Sequence, residues 1–168
     1  LREQCDAVQS DILSRLDSPV AREAVSLWLD RVSFRYILSQ PPEAILRHFE
    51  MEKGLERRTL VMDTREVEGG MWQITLATRD RPGLFAMITG VLWVAGLNIL
   101  SADIFTRPSG VALDILRVER VPDPLRSSEL FDRIGKDLEN SLADRSNFVK
   151  LMAAKGKPSL LQQKNVPV

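Results

Sequence analysis

The sequence predicts an α+β fold in which helices and strands pack around one sizeable core. Apolar residues alternate with period two up to Arg79, and then recur at helical spacing from Leu84, so a strand passes into a helix. Further extended segments and another amphipathic helix follow this pair. A chain of 168 residues with 44% hydrophobic residues can bury one such core and carry a smaller helical part.

Composition argues against several classes of partner and site. The 23 basic and 23 acidic residues give a formal net charge of zero, so we expect neither a nucleic acid nor a membrane partner. Cys5 is the single cysteine, which excludes an internal disulfide, disfavours a cysteine-ligated zinc site and suits a reducing cytoplasm. The chain begins at Leu1 without a signal-peptide pattern. We therefore expect a cytoplasmic fragment of a longer protein.

Residues 1–55 are predicted to form a helical connector segment. The first helix places Cys5 and Ile12 on one apolar face. The second helix is expected to run from Pro19 to about Leu38. The third helix is expected to begin at Pro42 and to end near Gly54, because proline favours a first helical turn and glycine favours a helix end.

His48 lies within this segment and is the only histidine of the chain. A lone histidine on an amphipathic helix is more often structural than catalytic, and no second histidine or carboxylate cluster accompanies it. We assign no catalytic residue and no metal site to this sequence.

Two strands are predicted next, at residues 58–66 and 72–78, paired antiparallel across Glu68–Gly70. Alternation in the second strand predicts burial on one face only. Residues 147–154 favour a helix over a final strand. We therefore expect strand 58–66, in place of a C-terminal strand, to occupy the sheet edge beside strand 72–78.

The remaining elements complete a recognisable order. A helix from Leu84 is followed by strands Ile99–Thr106 and Val111–Val118, and by a helix that ends near Leu142. The order βαββα, with one strand in front, is most of a ferredoxin-like βαββα(β) domain. The predicted boundaries are 56–121 and 122–146 for this domain, with a helical linker at 147–168.

The stretch Asp80–Phe85 joins the strand at 72–78 to the helix from Leu84. Pro82 suits an early helical or turn position, and Gly83 permits close approach of another molecule to the backbone. The first N–H groups of a helix lack intrahelical partners and carry the positive end of its dipole, so this corner suits a carboxylate. The alternative is a plain turn in which Asp80 caps the helix.

Four motifs stand out along the predicted sheet and its first helix, namely Ile74–Phe85, Ala95–Ile99, Ala102–Thr106 and Ala112–Asp114. They resemble the ACT domain family, and more narrowly the first of two tandem ACT domains in the enzymes that uridylylate and deuridylylate the nitrogen signal protein PII. The preceding Arg35–Leu38 and Pro42–His48 are similar to the helical segment before the ACT pair in that family.

The resemblance implies a regulatory part of such an enzyme, which senses glutamine or another amino acid. In that family, upstream domains carry the chemistry: a nucleotidyltransferase domain that uses Mg²⁺ with UTP, and an HD domain with a divalent metal. Neither set of motifs occurs here, so we expect the fragment to be catalytically inert and to hold no cofactor. A second ACT domain is expected after residue 168, and PII is a partner of the parent enzyme.

The chemistry of the turn at Asp80–Phe85 predicts residue roles. The turn Arg81–Leu84, with Pro82 and Gly83 at its centre, is predicted to receive the effector's α-carboxylate through its amides. Asp80 and Asn98, with Ile99 beside it, would contact the amino group or side chain.

Two aromatic residues, Trp93 and Phe105, are predicted interface residues, with Trp93 facing the second ACT domain or the N-terminal helices. Two other classes of protein fit the same motifs. One is an ACT-repeat protein without an attached enzyme, and the other is a structural docking module.

Overall fold

The computed structural model describes residues 1–119, 121 and 123–156, and it confirms the α+β class. The predicted break at Pro122 and the linker beyond residue 156 lie outside the described residues. The helices are α1 (Arg2–Ser14), α2 (Pro19–Leu29), α3 (Phe34–Ser39), α4 (Pro42–Gly54), α5 (Leu84–Val94), α6 (Ser127–Ala143) and α7 (Arg145–Lys155). Within this part of the chain, none of the helices is long and apolar enough to cross a membrane.

Four strands form one antiparallel sheet in the order β1-β2-β4-β3. The strands are β1 (Leu60–Glu66), β2 (Trp72–Arg79), β3 (Ile99–Thr106) and β4 (Val111–Val118). Strand β1 therefore lies at one edge beside β2, and residues 148–152 belong to helix α7. A short 3₁₀ turn at Glu68–Gly70 joins β1 to β2.

Contacts along the chain divide it into two compact units, which are described separately. Unit 1 comprises Leu1–Asp63, Ile74–Asp80 and Ala102–Leu116. The remaining described residues form unit 2, within the ranges Thr64–Gln73, Arg81–Ser101 and Arg117 onward.

The core of unit 1 consists of the N-terminal helices packed on the inner segments of β2, β3 and β4. Cys5 and Ile12 of α1 are fully buried, as the helical pattern predicted. Their cluster includes sheet residues with side chains on the same face, namely Ala77, Phe105, Val111, Leu113 and Ile115. Residues 1–55 therefore cover a sheet face and do more than connect.

This packing corrects the expectation that β2 is buried on one face only. Ile74 and Leu76 are buried as predicted, but Thr75 and Ala77 on the opposite face are only 2% and 0% exposed. The hydroxyl of Thr78 donates to the carbonyl of Thr59 at 2.7 Å, which satisfies a polar group in this setting.

The expected long second helix is also wrong, because it ends at Leu29 and α3 begins at Phe34. Ser33 adopts an extended conformation, and its side chain accepts a hydrogen bond from the amide of Tyr36 at 3.2 Å. This N-cap satisfies an amide that would otherwise lack a partner, so it favours a new helix start over continuation. Four helices, not three, precede the sheet.

Unit 2 is built on the three helices α5, α6 and α7, which all pack on one another. Helix α6 buries Phe131, Ile134, Leu138 and Leu142 along one face, and the ring of Trp72 lies 4.8 Å from that of Phe131. Helix α7 approaches α5 closely at Gly90. A Cβ atom there would lie 2.7 Å from the ring of Phe148, so the absence of a side chain permits this packing.

We expect Gly90→Ala to destabilise the protein by about 1 kcal/mol, because overpacking against Phe148 outweighs the better helix propensity of alanine. In a Phe148→Ala background only the Sδ atom of Met152, at 3.2 Å, still crowds the methyl group, and the better helix propensity of alanine should make the same change stabilising by up to about 1 kcal/mol. A double-mutant cycle of urea unfolding measures both effects. Additive effects of the two substitutions would show that α7 does not pack on α5 at this glycine.

Candidate binding site at the start of helix α5

The predicted corner is a tight turn that ends at the start of α5. Gly83 has φ 77° and ψ 7°, and the amide of Leu84 donates to the carbonyl of Arg81 at 3.2 Å. Proline at the second position and glycine with positive φ at the third are the signature of a type II turn. Gly83, and not Asp80, is the N-cap residue of α5.

The turn decides which amides remain open to a ligand. The amide of Leu84 bonds within the turn, and that of Met87 donates to the carbonyl of Gly83 at 3.0 Å. Between them, the amides of Phe85 and Ala86 have no backbone acceptor among the described residues. Arg81, Pro82 and Gly83 are exposed, so this end of the helix is accessible. The open donors therefore lie one and two residues beyond Leu84.

The side chain of Arg81 is hydrogen-bonded to α6. Its Nη1 atom donates to the carbonyl of Leu142 at 2.7 Å, in the last turn of α6. Carbonyls in that turn lack intrahelical donors, and a cation there also suits the negative end of the helix dipole. Arg81 therefore fixes the turn to α6 through its side chain.

Two carboxylates of unit 1, those of Asp80 and Asp114, interact electrostatically. Asp80 is exposed, and its backbone amide donates to the carbonyl of Gly110 at 2.9 Å. Asp114 on β4 is only 2% exposed, and its Oδ1 atom has no hydrogen-bond partner among the described residues. Burial, with a smaller contribution from the charge of Asp80, raises the pKa of Asp114 to about 6.

Asp114 received no role from the sequence, although a signal was present. The strand Val111–Val118 is apolar around it, and a carboxylate in the middle of a buried strand is costly unless it is paired or protonated. Perturbed, unpartnered acids of this kind concentrate at functional sites.

Asn98 and Ile99 lie at the start of β3 in unit 2. The side-chain amide of Asn98 donates to Glu119 at 2.9 Å, and the backbone amide of Glu119 donates to the carbonyl of Asn98 at 3.0 Å. Ile99 is half-buried as the first residue of the strand. The amide group of Asn98 is thus already engaged by a neighbouring carboxylate.

The two predicted interface residues differ in exposure. Trp93 on α5 is 52% exposed, and the Lys155 ammonium of α7 lies 5.7 Å from its ring centroid. Phe105 is 9% exposed, and its ring meets that of Tyr36 edge-on at 5.0 Å within unit 1. Trp93 is therefore available to a partner, whereas Phe105 contributes to the core.

A second polar cluster in unit 1, centred on Arg107, was not predicted. The Arg107 side chain is 8% exposed, and its guanidinium lies 3.8 Å above the ring of Trp28. Its Nε atom donates to Glu52 at 3.0 Å, and Glu52 also accepts from Trp28 at 2.7 Å and from Ser109 at 3.1 Å. Burial lowers the pKa of Arg107, and the charge of Glu52 opposes that shift. These residues are far apart in sequence, so no local sequence pattern predicts the cluster.

The single histidine has a structural setting. His48 is 3% exposed, and its Nδ1 atom lies 2.8 Å from the hydroxyl of Tyr36. Among the described residues, no group of three or more histidine, cysteine or acidic side chains is arranged to hold a metal ion. No protein-family model matches the chain.

Asp114 should make stability depend on pH in a defined direction. The folded state holds the Asp114 proton more tightly than the unfolded chain, so this stabilisation is complete below pH 4 and is lost as pH rises through about 6. The loss amounts to at most about 3 kcal/mol, from about 1.4 kcal/mol per pKa unit. Asp114→Asn should remove this dependence.

Urea unfolding between pH 4 and 7.5 measures the effect. We expect Asp114→Asn to gain stability relative to the unmodified chain as pH rises. Asp132→Asn, at an exposed position on α6, is the matched control and should leave the pH profile unchanged. Parallel profiles for the Asp114 variant and the unmodified chain would contradict the assignment.

Proposed function

We propose that this chain is a regulatory ACT-domain fragment that senses an amino acid, with glutamine as the effector. Its parent would be an enzyme that uridylylates and deuridylylates PII. The observation that carries the proposal is the exposed start of α5, where the Pro82–Gly83 turn leaves two amides open at the end of the motif that resembles the ACT family.

The effector's α-carboxylate would bind to the amides of Phe85 and Ala86. Both donate at the positive end of the α5 dipole, which favours an anion. Gly83 has open space around the position of a Cβ atom, so a ligand can approach the turn without meeting a side chain. An amino acid also carries an ammonium group, which would contact Asp80, the residue directly before the turn in the sequence.

Regulation would follow from differential binding. The effector would favour one arrangement of this domain with a second ACT domain, and so bias the catalytic domains of the parent enzyme. Nucleotide transfer with Mg²⁺ and UTP, and metal-dependent removal, would belong to those domains. PII would bind the parent enzyme, and this chain would supply the nitrogen signal.

One set of contacts favours the docking module as the second candidate. The Leu84 amide, the Arg81 side chain and the Asn98 side chain all have partners within unit 2. A corner whose polar groups are satisfied internally can serve as structure alone. An ACT-repeat protein without an attached enzyme shares the amino-acid site, and the two are separated by assaying the parent protein for uridylylation of PII.

Calorimetric titration of glutamine, glutamate and asparagine tests the amino-acid site, first on this chain and then on the longer protein that the resemblance implies. We expect glutamine to bind at least one of the two. Gly83→Leu should weaken that binding more than tenfold, because a side chain enters the approach to Phe85 and Ala86 and strains the positive-φ turn.

Gly69→Leu is the matched control, since Gly69 has φ 78° in the turn between β1 and β2. Both variants should lose about 1–2 kcal/mol of stability from backbone strain, but only Gly83→Leu should lose affinity. Unchanged affinity in Gly83→Leu would refute the site. Absence of binding to either protein would favour the docking module.

A further inference from the structure

A pocket of about 590 Å³ lies within unit 1. Its wall combines three arginines with an apolar surface: Arg31, Arg35, Arg107, Tyr36, Ile104 and Phe105. Pockets of 300–1,000 Å³ with a few placed polar groups are typical of small-molecule sites. This pocket shares none of its lining residues with the turn at the start of α5.

Arg107, one of the residues that line this pocket, carries an unsatisfied donor. Its Nε atom is bonded to Glu52 and its plane is stacked on Trp28, so the orientation of the guanidinium is fixed. The Nη2 atom is buried and has no hydrogen-bond acceptor among the described residues. A buried charged donor without an acceptor is costly, and native proteins rarely leave one unpaired. The missing partner is an acceptor, for which an anionic oxygen is the strongest choice.

The balance of charge points the same way. Glu52 already accepts from three donors, and Asp30 is the single acidic residue that lines the pocket in the described part of the chain. Arg31 forms no ion pair with another described residue, and Arg35 reaches Asp103 only at 3.9 Å with both side chains exposed. Exposed pairs at this distance are weak, so both arginines remain able to bind another anion.

Part of the pocket lining suits an apolar group. Tyr36 and Phe105 are buried and hold each other edge-on, whereas Ile104 is 43% exposed. The Arg35 guanidinium lies 5.6 Å from the Phe105 ring centroid, which places a positive charge directly beside the apolar wall. A ligand that carries both an anionic and an apolar group would therefore match this lining.

We propose that this pocket binds a small organic anion, with a carboxylate or phosphate group among Arg31, Arg35 and Arg107 and an apolar group against Ile104 and Phe105. The site is distinct from the proposed amino-acid site and does not depend on it. Arginine suits either oxyanion, because its planar fork can donate two parallel hydrogen bonds.

Calorimetric titration of the 168-residue chain with benzoate, phenyl phosphate and inorganic phosphate tests the proposal. Benzamide is the control, because it has nearly the shape of benzoate without its charge. We expect saturable binding of benzoate or phenyl phosphate, at least tenfold weaker binding of inorganic phosphate, and none of benzamide. The preferred aromatic anion identifies the oxyanion. Equal binding of benzamide, or binding of no anion, would overturn the proposal and leave water as the partner of Nη2.

Variants of the exposed arginines locate the site without disturbing the buried cluster. Arg31→Gln combined with Arg35→Gln should weaken binding by roughly ten- to a hundredfold, as expected for hydrogen bonds between charged groups. Arg57→Gln combined with Arg58→Gln makes the same change in net charge at exposed positions outside this pocket. Equal losses in the two double variants would show general electrostatic attraction and refute the pocket.

The Nε–H resonance of Arg107 gives a second readout that does not depend on a variant. In arginine labelled with ¹⁵N, the preferred anion should shift this resonance, whereas benzamide should not. The thermal unfolding of each double variant shows whether the fold is retained. An Arg107 resonance that stays unchanged at saturation would place the anion elsewhere and contradict the proposal.

Discussion

The contact on which unit 1 depends most is the one between Glu52 and Arg107. One carboxylate accepts hydrogen bonds from an indole, a guanidinium and a hydroxyl, and so joins α2, α4 and the turn after β3. Because the pair is largely buried, loss of either charge would leave the other uncompensated, which typically costs 3–5 kcal/mol. Trp28, which takes part in this polar contact, also packs against the apolar cluster of unit 1.

At the start of α5, the backbone conformation determines which amides are available to a ligand. The Pro82–Gly83 turn uses one amide of the first helical turn and leaves the next two without backbone acceptors in the described part of the chain. Arg81 then fixes this turn to the end of α6. A rigid corner with a small number of oriented donors is what an anion site requires, since the donors need not reorganise on binding.

Local pattern was sufficient for some elements and insufficient for others. Helical periodicity and end signals predicted α4, α5 and α6 closely, because each buries one continuous stripe. At Ser33, one side-chain hydrogen bond to the amide of Tyr36 competes with continuation of the helix. Hydrophobic periodicity contains no information about such a bond, so the break was not predicted. Thr75 is buried by helices that are distant in sequence. Arg107 was not predicted for the same reason, since its partners Glu52 and Trp28 are also distant in sequence. Asp114 alone gave a readable signal, as a charge within an apolar strand.

The position of Cys5 gives the molecule a built-in reporter. It carries the only thiol of the chain, and its side chain is 0% exposed on α1. A thiol reagent can reach it only when α1 separates from the core. The rate of thiol modification therefore measures how often that helix opens locally. Slowing of this reaction by a bound ligand would measure how far occupancy tightens the N-terminal helices.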